Sequence, residues 1–67
     1  MKAREKQFLI GVAMTLAEIK RSHDQPTMVS NIMDGFGLEL AAFEAAGVEE
    51  YDLAEIRQCL REAPLAA

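Results

Sequence analysis

The chain contains no tryptophan and only one each of tyrosine, histidine and cysteine. A lone cysteine excludes an intrachain disulfide, and without a Cys/His cluster there is no signature of a structural metal or of a metal cofactor. A chain of 67 residues lacking both staples buries only about 60% of the surface its unfolded form exposes, so self-association or a partner is the expected further source of stability. Long apolar runs are missing too. The longest, Phe8 to Met14, contains Gly11 and falls well short of the roughly 18 residues of a membrane span. Lys2, Arg4 and Lys6 precede it as in a secretion signal, but Glu18, Lys20 and Arg21 follow with no cleavage site. A cytoplasmic location is expected, consistent with a single thiol.

The formal charge is −4 and the isoelectric point near 4.8, which works against nonspecific attraction to nucleic acid or to an anionic membrane. A larger protein with a basic or mixed surface is the partner this charge suits. The hydrophobic content of 51% is high for so small a chain, and Met14, Met28 and Met33 add flexible apolar side chains suited to adaptable contacts. Homodimerisation follows as the expectation.

Periodicity predicts an all-α fold: an antiparallel helical hairpin plus a short third helix, assembling as a homodimeric bundle. Helix 1 is expected over about residues 4–22, with Phe8, Val12, Leu16 and Ile19 on one face and Leu9 and Ala13 widening it. Ile10, Met14 and Ala17 make a second apolar face, read as a dimer contact together with Met28 and Phe36. The linker Ser22 to Pro26 is polar, with Pro26 fit for a first helical turn and Asp24 the better N-cap candidate. Helix 2 is expected over about 27–46 with the stripe Val29, Ile32, Met33, Phe36, Leu40 and Phe43. Gly35 and Gly37 each cost about 1 kcal/mol in a helix interior and predict a kink near 35–37, or a break near Asp34–Gly35 that divides the helix.

Gly47 followed by Val48 reads as a Schellman stop. Asp52 and Glu55 spell a D-x-x-E capping box, with Tyr51 and Ile56 placed for a hydrophobic staple, so helix 3 is expected over about 53–63 with Leu53, Ile56 and Leu60 inward. Pro64 would end it, leaving Leu65 to Ala67 as a tail. No internal repeat is apparent.

The corner around Gly47 has the outline of a helix-turn-helix, with Val48, Leu53 and Ile56 as its buried positions. Phe43, four residues before the turn glycine, is too bulky for a close crossing, and Glu49, Glu50, Asp52 and Glu55 open the second helix where a phosphate backbone would lie. The Met33-Asp34-Gly35-Phe36 run resembles the Met-Gly-Phe of ubiquitin-associated domains with Asp34 interposed, and no family is identified from it.

Chemistry has few footholds. His23 beside Asp24 could orient an imidazole, but no nucleophile accompanies it, and a His at a helix end is well placed against the dipole. Cys59 lies between inward positions, where a thiol packs as a small apolar group unless Arg57 and Arg61 lower its pKa. Gly35-Phe36-Gly37 lacks the spacing and lysine of a phosphate loop. No catalytic residue, cofactor or enzyme activity is assigned.

What remains is a small acidic protein-interaction module, an adaptor or inhibitor of a larger protein, of the size class common among bacterial and phage accessory proteins. Glu39, Glu44, Glu49, Glu50 and Tyr51 are the expected partner-binding residues. The alternative is a dimeric DNA-binding regulator using Lys2, Arg4, Lys6, Lys20 and Arg21 of helix 1.

Overall fold

The computed structural model describes residues 1–63; the proline stop at Pro64 and the tail Leu65 to Ala67 lie outside the described residues. Every regular element among them is helical: α1 (Ala3–His23), α2 (Pro26–Phe36), α3 (Leu40–Ala46) and α4 (Glu50–Glu62). No described helix is long and apolar enough to cross a membrane. The Cα trace is a slab of 30 × 26 × 14 Å, in which α1 and α4 each touch every other helix and pack most extensively on one another.

The segment read as one second helix is two. The glycine interruption is a break, and it falls at Gly37, just past the Asp34–Gly35 position expected for it. Gly37 adopts φ 65°, its N–H donates to the Asp34 carbonyl, and the Leu38 N–H reaches back 2.8 Å to the Met33 carbonyl. That is a Schellman motif, which spends the last carbonyls of α2 and leaves nothing for another turn. Ten residues later the pattern repeats at Gly47, with Gly47 bonding Glu44 and Val48 bonding Phe43. Both corners read large apolar residue, acid, two residues, Gly, apolar residue, Glu, and in both the final glutamate, Glu39 or Glu49, is the N-cap of the next helix.

Neither glutamate caps through its side chain. Helix α4 therefore begins at Glu50, earlier than Leu53, and the capping box does not form; Asp52 and Glu55 lie inside the helix. The staple is likewise absent, because Tyr51 stands exposed. At the first connection Asp24 is the C-cap of α1 rather than the N-cap of α2. It holds φ 49°, a left-handed conformation that Asp tolerates better than most residues, and its carboxylate accepts 2.8 Å from Lys20. Gln25 is the N-cap of α2, with Pro26 in its first turn.

The core joins Leu16 and Ala13 of α1 to Val29 and Met33 of α2, Phe43 of α3, Val48 at the corner, and Leu53, Ile56 and Cys59 of α4. Phe43, expected to obstruct a helix crossing, is its largest fully buried side chain. The first face of α1 joins the core through Ala13 and Leu16, with Leu9, Val12 and Ile19 packed against it, and the second face is only partly free, with Met14 exposed. Ala17, placed at a dimer contact, is 0% exposed within the single chain, and Ile10 is half-buried against the core. Small side chains at Ala13 and Ala17 let neighbouring helices approach closely on that side, which draws the core there. Of the stripe begun by Phe8, Leu16 is buried, Val12 and Ile19 are half-buried against the core, and Phe8 faces out.

Candidate protein-interaction surface

Between α1 and the end of α2 lies an open groove of about 820 Å³. Phe8, Val12 and Ile19 form its α1 wall, and Ile32, Phe36 and Leu38 form the other. No lining side chain is ionisable. The polar ones are Gln7 and Thr15, and the Thr15 hydroxyl is already donating 2.9 Å to the Gly11 carbonyl. Phe8 is 64% exposed and Phe36 78%. Such surfaces cost apolar hydration, and a contiguous one on a small domain marks a contact site.

The expected dimer residues divide across this geometry. Phe36 lines the groove, and Met28, exposed, stands one turn before Ile32 on the same side of α2. Met14 is exposed as well but lines a shallower hollow with Glu18, Arg21 and Asp52. Ile10 and Ala17 belong to the single chain. Sequence reasoning places Phe8, Val12 and Ile19 on an inward face; Val12 and Ile19 do pack against the core while also lining the groove, and Phe8 is exposed, since spacing does not say how much of an apolar face a neighbour will cover.

The five expected partner-binding residues are all exposed, and the chain engages three of them internally. Arg57 bonds Glu50 and lies 3.2 Å from Glu44, and these carboxylates, Glu50 first, hold its pKa above the ordinary value. Tyr51 carries the Arg21 guanidinium 4.0 Å above its ring, a cation–π contact. Glu39 and Glu49 have no ion-pair partner among the described residues.

Arg21 is the hub of a second network. It reaches Asp52 at 3.2 Å, Glu18 at 3.3 Å and Glu55 at 3.9 Å, tying the last turn of α1 to the first turns of α4. Desolvation works against its charge, but the Asp52 bond, Tyr51 and Glu55 together outweigh it and raise its pKa. The carboxylates of the expected capping box thus serve a tertiary contact. Lys20 is engaged by Asp24, with Glu62 at 3.9 Å. Of the five cations assigned to a DNA-binding face, two are occupied in this way, and Lys2, Arg4 and Lys6 have no ion-pair partner among the described residues.

The residues weighed for chemistry lie apart from the groove. His23 is exposed at the last position of α1. Cys59 is fully buried, and burial pushes its thiol above the ordinary value, with Glu62 and Glu55 adding to the effect and Lys20 opposing it. Such a thiol is protonated and inert. Comparison with family models, with curated proteins and with solved structures finds no match to the chain.

Proposed function

We propose that the chain is a small acidic protein-interaction module, an adaptor or inhibitor acting in the cytoplasm on a larger protein with a basic or mixed surface. It works as a homodimer built on the α1–α2 hairpin. The observation that carries this reading is the groove: two exposed aromatic rims around an apolar floor with no ionisable group. Chemistry on a small substrate needs polar groups converging on a reacting atom, whereas an apolar concavity with aromatic edges suits a protein surface. The acidic α3–α4 corner supports a separate partner contact, since Glu49 has no ion-pair partner among the described residues and Tyr51 is exposed, as an aromatic anchor would have to be.

A tagged chain should retain one larger protein from nuclease-treated lysate, identified by mass spectrometry, and Glu49→Lys/Glu50→Lys should lose it while its circular dichroism stays unchanged. Equal capture by the folded double variant would reject the acidic corner as the contact. A second reading, a DNA-binding regulator, draws on Lys2, Arg4 and Lys6, which have no ion-pair partner among the described residues. A gel shift at low salt that Arg4→Ala/Lys6→Ala abolishes would favour it, because phosphate contacts are lost one by one with the cations that make them.

A further inference from the structure

The groove has two apolar walls, Phe8, Val12 and Ile19 on α1 and Ile32, Phe36 and Leu38 on the other side. On α2 the exposed Met28, one turn before Ile32, extends the apolar stripe beyond the lining, so that it runs from Met28 to Phe36 beside the α1 stripe from Phe8 to Ile19. At the helical rise the α1 stripe spans about 16 Å and the α2 stripe about 12 Å. Gly11 lines the groove on the α1 side and leaves open space where a side chain would stand. We propose that this face is the interface between two copies of the chain, a two-fold contact that lays the α1 stripe of each copy over the α2 stripe of the other. The inference rests on the interaction-module reading and assigns the groove its occupant.

Charge complementarity favours a second copy. Ile19 and Ile32 are the groove residues nearest in sequence to the Asp24–Gln25 connection, and Phe8, Phe36 and Leu38 are the farthest from it, so the two walls run in opposite chain directions. Arg4, one turn before Phe8 on the same side of α1, and Glu39, directly after Leu38, therefore lie beyond the same end. Neither has an ion-pair partner among the described residues. A two-fold axis along the groove exchanges its walls. Each Arg4 then faces the other copy's Glu39, while Phe8 meets the other copy's Phe36. Two chains of charge −4 repel as wholes, and they associate through a face whose centre is uncharged and whose rims attract.

The test is mass against concentration for the full chain, by light scattering and sedimentation at low salt from micromolar to millimolar. The wild-type mass should rise from 7.4 kDa to twice that value. Phe8→Asp and Phe36→Asp should remain at the single-chain mass with unchanged circular dichroism, both side chains being exposed in the monomer. Arg4→Glu and Glu39→Lys should each weaken the dimer by about tenfold, since each sets like charges together twice. Mixed one to one they should regain wild-type affinity, because the mixed pair restores both contacts. A wild-type chain that stays monomeric at millimolar concentration, aspartate variants that dimerise normally, or a mixture no tighter than its components would each overturn the assignment. Partner capture by the acidic corner is read separately, so a monomeric chain that still retains its partner would refute the groove contact alone.

Discussion

The corners at Gly37 and Gly47 are built from the same parts and end differently. Each closes with a left-handed glycine, a back-bond from the next apolar residue and a glutamate at the following N-cap. At the second corner the residues flanking the glycine are buried, Ala46 at 5% exposure and Val48 at 6%. At the first they are Phe36, almost fully out, and Leu38, half-buried on the edge of the groove. Local hydrogen bonding is satisfied equally in both, so the exposed phenylalanine is not a requirement of stopping a helix. The difference teaches that one corner closes the core and the other displays an apolar surface.

The sharpest way to break that comparison is to truncate an aromatic on each side of it. Phe43, fully buried at the foot of the second corner, should cost about 3–5 kcal/mol as Phe43→Ala, most or all of a small domain's stability. Phe36→Ala should move monomer stability by no more than about 0.5 kcal/mol, as at any exposed site. Urea titrations of dilute protein measure both, and a large loss at Phe36 would mean that the first corner is part of the core. Next in size are Gly37→Ala and Gly47→Ala. Each forces a Cβ into a left-handed backbone and should cost about 1–2 kcal/mol in the same titration. Unequal costs would show that one corner is held by its packing more than by its glycine.

Gly35 sharpens the comparison from the other side. It lies within α2 at negative φ, with open space where its Cβ would be, so Gly35→Ala should stabilise by up to about 1 kcal/mol. The smallest effect concerns pH. Burial raises the Cys59 pKa above its ordinary value of 9.0, so folding favours the protonated thiol. That contribution is complete below the ordinary value and is lost as pH rises through the raised one, because the unfolded chain gives up its proton first. Unfolding free energy measured across this alkaline window should fall less steeply for Cys59→Ala than for the wild type.

Much of the fold was legible in the sequence, and the misses share a cause. Leu53 and Ile56 were readable as core because polar neighbours leave α4 one apolar face, Val29 and Met33 because they sit at helical spacing within the α2 stripe, and Gly47–Val48 was readable as a stop because the motif is local. Helix α1 is apolar on two sides, and periodicity does not tell which side a neighbour will cover; Ala17 and Phe8 were exchanged for that reason. Asp52 and Glu55 have the spacing of a capping box, yet Arg21, far away in sequence, takes both carboxylates, a contact no local pattern announces. The ten-residue recurrence of the two corners was present in the letters and was hidden by the change from Met33 and Phe36 to Phe43 and Ala46. Of the groove's lining, Phe36 is among the residues named from spacing and Met28 stands one turn outside it, while Phe8, Val12 and Ile19 on the opposite wall were read only as an inward face.

The most direct test is an isotope-filtered NMR experiment on an equal mixture of labelled and unlabelled chains, which detects only contacts between copies. Cross-chain signals between the Phe8 and Phe36 rings, and from the Met28 methyl to α1, are the predicted result. Cross-chain signals confined to Tyr51 and the α3–α4 corner, with the Phe36 ring silent, would contradict it.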